Sequence, residues 1–510
     1  MTKRFGLSML ALAGAGLVYG APEIADAAER RDAAQVRKLV EQKTDVNAAQ
    51  PDGTTALMWA VHWNDVDLTR ALLKAGANPK TANRLGASPL SEAAALGNAS
   101  LAAALLDAGA DAKSLTTPDG ETVLMTAARA GNLETVKLLL DRGANVNAVE
   151  NYKGQTALMW AAAEKHADVV KLLLDHGADW KVNSLLHETK MPKLSAASSV
   201  SPMARGGMTA IAFAARVGDV PSLKTMLEAG VDINLVDGEK TSPLVTALVN
   251  KQYTAAKFLL DRGADPNVAD TFGRAALYAA IDIRNEDYTA VPRRPAIDPM
   301  PSIEIIKEIL NHKPNVNQTL SIRLPNRSGM DSGDTALGDG ATPLMRAARA
   351  GDGEVMRLLL KAGADPNLKT KEGNTAMMFA AGVGYRDKQT TGTEAEALDA
   401  LKIALDLGQD INQANGRGET ALHGAAGRGA DTIVQYLVDH GANLNTESRT
   451  GSTALDVAMG KGSFGLPVPH DSTVALLKKL GAAEGKPRPA PVKPAGPKPA
   501  APKPPAPPAQ

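Results

Sequence analysis

The chain has 510 residues, 56 basic and 56 acidic side chains, no cysteine and 17 aromatics. That length suggests three or four ordinary globular units, yet the hydrophobic 44% is mostly Ala and Leu and only 3% is aromatic. Such a chain buries its surface through many small helix contacts rather than a few ring clusters. It also lacks disulfides, thiol nucleophiles, iron–sulfur clusters and cysteine-ligated zinc.

Residues 1–20 read as a secretory signal. Lys3 and Arg4 precede an apolar run over 5–18 that is short of the roughly 20 residues of a membrane span. Cleavage after Gly20 leaves Ala21 as the new terminus, and Ala25-Asp26-Ala27 offers a second cutting site. An uncleaved anchor or a buried first helix is the alternative reading. The expected compartment is the periplasm, with secretion as the variant.

From residue 21 to 484 one beat dominates. A turn glycine recurs at Gly53, Gly86, Gly120, Gly154, Gly207, Gly273, Gly340, Gly373, Gly418 and Gly451, and Lys240 fills the slot once. Undisturbed spacings are 33 or 34 residues. After each turn comes a small-residue segment and then a second apolar run such as VVKLLLDHGAD, where Val169, Leu172 and Leu173 keep helical spacing and Gly177 stops the helix. Each unit predicts a turn, a short helix, a tight bend, a second helix and a glycine-ended loop.

The openings TALMWA (55–60), SPLSEA (88–93), TALMWA (156–161), SPLVTA (242–247), TPLMRA (342–347) and TALHGA (420–425) resemble the ankyrin-repeat signature T-P-L-H-x-A. LLLDRGANVN (138–147), FLLDRGADPN (258–267) and LLLKAGADPN (358–367) resemble its second-helix partner. With a leading unit at 23–47 the resemblance implies an all-α solenoid of about twelve helix-turn-helix repeats with finger turns. The signature histidine survives only at His423; Met58, Met125, Met159, Met345 and Met378 replace it elsewhere. In the family that histidine supports a hydrogen-bond network with the preceding threonine, so the network is in question here, and the methionines read as core filler.

Five insertions break the beat, near 182–206, 284–301, 318–338, 384–393 and 461–470. The first and third enter turns between repeats, on the finger side. The others fall between the two helices of one repeat. Insertions of this kind land in loops, often on a binding face.

The x position of the signature lies, in the family, on the inner helix and faces the concave side. Here it carries Trp59, Trp160, Phe213 and Phe379, with Arg346 among the rest. Three residues on come His62, Arg129, Arg216 and Arg349, with Trp63 beside His62. Interleaved rings and guanidinium groups have the composition of protein-binding hot spots. The candidate partner-binding set is therefore Trp59, His62, Trp63, Trp160, Phe213, Arg216, Arg346, Arg349 and Phe379; packing between neighbouring repeats is the competing reading.

Residues 485–510 read as a disordered Pro/Ala/Lys-rich tail, extended in polyproline fashion. Two of the 56 basic residues lie in the signal and five in the tail, while all 56 acids lie between, so the body is net −7. The tail could touch cell wall or anionic lipid. Nucleic acid is disfavoured by the acidic body and the export signal. No serine-hydrolase elbow, zincin pair, phosphate loop or dinucleotide fingerprint is present. The expectation is a monomeric, non-catalytic scaffold for an unidentified protein partner, with no cofactor or metal. The rivals are a wall-tethered envelope spacer and an enzyme whose site is built from the insertions.

Overall fold

The computed structural model describes residues 23–189, 203–285, 298–324, 337–385, 392–461 and 468–486. The signal segment, most of the tail and the middles of the insertions lie outside the described residues. Among the described residues the chain forms 24 helices in consecutive pairs and two four-residue strands. The fold is an all-α repeat array. It divides into two compact units, one running to Asp270 with 298–300 added, the other comprising 271–285 and the described residues from Pro301 onward.

Each pair starts from local chemistry. In most pairs a Thr or Ser stands in extended backbone just before the first helix, and in several its hydroxyl accepts an otherwise orphaned N–H of the first turn. Thr55 does so for Met58 at 3.3 Å ahead of Ala56–His62, and Ser88 for Ser91 at 3.1 Å ahead of Pro89–Leu96. The first helices are short and Ala-rich because they are packed on nearly every side: Ala56 through Val61 are all buried. The second helices are amphipathic. Val66–Lys74 buries Leu68, Thr69 and Leu72 and leaves its charges outward.

The bend between helices needs a left-handed residue. Gly97, Gly131, Gly218, Gly351 and Gly429 supply it in several repeats, whereas Asn64, Lys165 and Lys251 adopt the same conformation, at φ 60°, 66° and 59°. Within each unit first helices stack on first helices and second helices on second helices, giving two layers with one continuous core between them.

Successive finger turns are tied by single backbone bonds. Arg84 N donates to Asp52 O at 2.8 Å, Asn151 N to Asp119 O at 2.7 Å and Gly238 N to Gly207 O at 2.8 Å. The second unit repeats the pattern from Lys371 N to Asp339 O at 2.8 Å and Arg449 N to Arg417 O at 2.7 Å. The 182–206 insertion leaves one such turn as an antiparallel ribbon, Leu186–Thr189 against Met203–Gly206, outside the helical layers. The 284–301 insertion separates Ala276–Arg284 from Ser302–Asn311, and the 384–393 insertion separates Ala376–Ala381 from Glu394–Asp406.

Candidate functional site

In the first unit the register read from the sequence forms three separate ring contacts along the first helices. Trp59 is buried, and its indole N–H donates to Gln50 Oε1 at 2.8 Å. Gln50 is in turn held by Asp26 Oδ1 at 2.9 Å and Glu29 Oε2 at 2.8 Å. Trp63 is half-buried, stacks on Trp59 at 5.9 Å between ring centroids and donates to Ala28 O at 3.2 Å. The Arg31 guanidinium lies 3.7 Å above the Trp63 ring. His62 Nδ1 sits 2.8 Å from Glu92 Oε1 of the next repeat.

Further along, the half-buried Trp160 carries the Arg129 guanidinium at 4.4 Å, and Arg129 Nη2 lies 3.6 Å from Glu121 Oε1. The Trp160 indole N–H, shielded from solvent, meets no acceptor among the described residues. Arg216 is exposed and lies 4.7 Å over the buried Phe213 ring, with Met208 Sδ at 3.6 Å from Nη1. The candidate residues of this unit are thus brought into one row, with Trp59 and Phe213 as its floor and Trp63, Trp160 and Arg216 at its surface.

The second unit corrects the expectation for its share of the set. Phe379 and Arg346 are 1% and 3% exposed, and Arg349 is 4% exposed, so none of them has surface to give a partner. Arg346 Nε donates to Asp282 Oδ1 at 2.8 Å and its Nη2 donates to Asn285 O. Arg349 Nη1 donates to Gly384 O at 2.9 Å. Both arginines are consumed at the roots of the insertions between helices, where a chain leaving its helix exposes carbonyls that need donors. Arg284, outside the candidate set, joins the same network: Nε to Asp352 Oδ2 at 2.8 Å, Nη1 to Ser302 Oγ at 3.1 Å and Nη2 to Glu354 Oε2 at 3.1 Å. Trp59 and Phe213 in the first unit are corrected likewise; they support the row rather than form its surface.

His423 keeps the threonine network. Its Nδ1 is 3.1 Å from Thr420 N and 3.0 Å from Thr420 Oγ1, and its Nε2 is 3.1 Å from Ser452 O in the next repeat. Burial pushes its pKa below the ordinary imidazole value, outweighing the Ser452 bond and the nearby Glu419 and Asp456 charges. Where methionine stands instead, the link to the next repeat is absent, and Met125 Sδ offers Thr122 N a weak acceptor at 3.4 Å.

Two features escaped the sequence reading. Arg31 sits at a left-handed bend (φ 60°) rather than at the register position that was followed. The other is a set of exposed apolar residues on four consecutive turns of the first unit: Leu85, Leu115, Tyr152 and Leu185. They stand at different places in their turns, one residue before Gly86, five before Gly120, two before Gly154 and an insertion away from Gly207, so aligning the turns on their glycines does not reveal them.

A chain of paired helices, tied turn to turn and presenting a row of side chains along its first helices, is a repeat-protein interaction module. A family profile described as "Ankyrin repeats (3 copies)" matches residues 24–115, 90–184, 182–270 and 301–388, and one described as "Ankyrin repeats (many copies)" matches 403–458. The chain belongs to the ankyrin-repeat family. It is 31% identical over 199 residues to the ankyrin repeat protein YahD of Escherichia coli (strain K12), covering 34% of this chain and 89% of that one. It is 27% identical over 215 residues to human transient receptor potential cation channel subfamily A member 1, covering 42% of this chain and 16% of that much longer one. Among solved structures the human ASB11 ankyrin repeat domain aligns at a TM-score of 0.39 and 23% identity, covering 48% of this chain and 98% of that one. Ankyrin repeats are in general scaffolds for protein–protein interaction. Among the described residues no helix is long and apolar enough to cross a membrane.

Proposed function

We propose that the protein is a non-catalytic scaffold of the bacterial periplasm, exported by its first 20 residues. It holds a partner protein along the first-helix row and the finger turns. The observation that supports this reading is the set of exposed apolar residues Leu85, Leu115, Tyr152 and Leu185 on successive turns. Scattered exposed leucines need no explanation, but an apolar set on adjacent repeats marks an association surface. The half-buried Trp160 lies on the first helix that the Tyr152 turn leads into, and rings of this kind anchor interfaces.

The test is crosslinking and capture of the full chain in its native host, beside a Leu85→Ser, Leu115→Ser, Tyr152→Ser variant. One protein enriched by the wild type and lost by the variant supports the scaffold. An identical captured set from both baits removes these turn residues from the account. Capture of cell-wall material alone, abolished by deleting 486–510, replaces the scaffold with the envelope spacer.

A further inference from the structure

Three guanidinium groups lie over rings along the first helices of the first unit: Arg31 over Trp63, Arg129 over Trp160 and Arg216 over Phe213, at 3.7, 4.4 and 4.7 Å. Counting helix pairs from Glu23, Arg31 lies in the bend of the first pair, Arg129 on Val123–Ala130 of the fourth and Arg216 on Ala210–Val217 of the sixth. A guanidinium stacked by its face keeps its N–H edge free, and that edge matches a carboxylate with two parallel hydrogen bonds.

The acids of the row are largely engaged. Glu92 is taken by His62, and Glu121 accepts from Thr126 Oγ1 at 2.9 Å besides facing Arg129. Glu164 is the exposed acid on the five first helices from Ala56–His62 to Ala210–Val217 and their bends, and Asp32, next to Arg31 in the bend before them, is exposed and accepts from Gln35 N at 2.9 Å. Among the described residues, Arg31 and Arg216 have no carboxylate partner at all. Guanidinium groups held in place by rings and left without counter-charges, in a body that is net −7, are preorganised for an anion supplied from outside.

We infer that this row binds an acidic, extended segment of the partner protein, each of the three stacked arginines taking one Asp or Glu. This deepens the scaffold reading above and rests on it. Adjacent helices pack about 8–10 Å apart, so the three repeats from Arg31 to Arg129 span roughly 30 Å and the two from Arg129 to Arg216 roughly 20 Å. An extended chain advancing about 3.3 Å per residue covers these in about nine and about six residues. The recognised pattern is therefore three acidic positions, the second about nine residues after the first and the third about six after the second. Apolar side chains between them would meet Trp63 and Trp160.

The test titrates the full-length protein with a synthetic peptide of about 18 residues carrying Glu at that spacing, following tryptophan fluorescence. A Gln-for-Glu peptide, inorganic polyphosphate and phosphatidylglycerol vesicles serve as the other probes. The Glu peptide is expected to bind at least about tenfold tighter than its Gln counterpart and to weaken as salt is raised. Arg129→Gln and Arg216→Gln should each weaken it about five- to tenfold, with Arg→Lys intermediate because charge survives while the planar fork is lost. Helical circular dichroism of the variants should match wild type, since all three side chains lie outside the core. Equal binding of the Glu and Gln peptides, or tighter binding of polyphosphate or vesicles, overturns the inference. If capture of a partner is unchanged in an Arg31→Gln, Arg129→Gln, Arg216→Gln variant, the acidic segment falls and the scaffold stands. Tight Glu-peptide binding without any captured protein keeps the site chemistry and sinks the scaffold.

Discussion

The two units meet the same sequence register with opposite outcomes. In the first, Arg216 sits three residues after Phe213 and lies on its ring with its edge free. In the second, Arg346 and Arg349 occupy the x position and the position three residues on, and both are sealed against the carbonyls of Asn285 and Gly384. The difference lies in the neighbours. No insertion splits the helix pairs of the first unit, and its first helices end in tight bends. The second unit has insertions that start directly after Ala276–Arg284 and after Ala376–Ala381. Chain leaving a helix there brings carbonyls that the arginines satisfy. An arginine at this register is surface where the neighbouring pairs bend tightly and internal glue where a neighbouring pair's bend is an insertion.

The sharpest way to break that comparison is to remove one arginine from each side. Arg346→Ala strips a buried cation from Asp282 and from the Asn285 carbonyl, and losing one member of a buried pair costs about 3–5 kcal/mol. Arg216→Ala removes a solvent-facing group and should change stability by no more than about 0.5 kcal/mol. Urea denaturation of the two variants measures both. Equal small effects would show that Arg346 is not held as the structure has it. Phe379→Ala against Trp160→Ala asks the same of the rings. The fully buried phenyl leaves a cavity costing about 3–5 kcal/mol, while the half-buried indole, already short of an acceptor for its N–H, should cost about 1 kcal/mol.

These contrasts also mark how far the sequence was legible. The repeat beat, the paired helices and the residues starting each helix follow from short-range chemistry: a Thr or Ser cap, an alanine run, a glycine bend. They were readable because each acts on its own few residues. The candidate row was half readable. Trp63, Trp160 and Arg216 lie at the surface of the first unit, but Phe379, Arg346 and Arg349 do not. Burial at one register position depends on what the next repeat and the next bend place over it, and neither appears in the spacing. Arg31 was missed for a related reason: it reaches Trp63 of the following repeat from a bend, not from a helix position.

The signature position separates single repeats in a different way, through proton binding. Met58, Met125 and Met159 make it silent in the first unit, and Met345 and Met378 in two repeats of the second, whereas His423 is buried. Its folded pKa is lowered while the unfolded value stays near the ordinary 6.5. Its bonds therefore contribute fully above about pH 6.5, and stability is lost as pH falls from there through the lowered value, because only the unfolded chain binds the proton readily. At pH 7.5 His423→Met forfeits the bonds to Thr420 and Ser452 and should cost about 1 kcal/mol. That deficit should shrink steadily as pH falls below about 6.5. Denaturation midpoints of wild type and variant at pH 7.5 and 5 check this, and parallel curves would mean the imidazole is protonated when folded.

The finest contrast uses the finger turns, where the same slot holds different residues in the two units. Gly340 occupies it in the second unit at φ 87°, with its Cβ position 3.1 Å from Lys371 N. Lys240 occupies it in the first at φ 59°. An L-residue there carries a left-handed strain of about 1 kcal/mol that glycine avoids, partly offset by the greater freedom glycine gives the unfolded chain. The Lys240 side chain is exposed, so removing it takes no packing away. Lys240→Gly should therefore stabilise by about 0.5 kcal/mol, one of the few changes in this chain expected to do so by deleting atoms. Gly340→Ala should lose about 1–2 kcal/mol, from the positive φ and from the crowding against Lys371. Opposite signs in paired urea titrations would show that the turn geometry is common to both units and that Lys240 is tolerated there rather than used. A loss on Lys240→Gly would instead give that ammonium a role in the first unit, on the same edge as Leu85, Leu115, Tyr152 and Leu185.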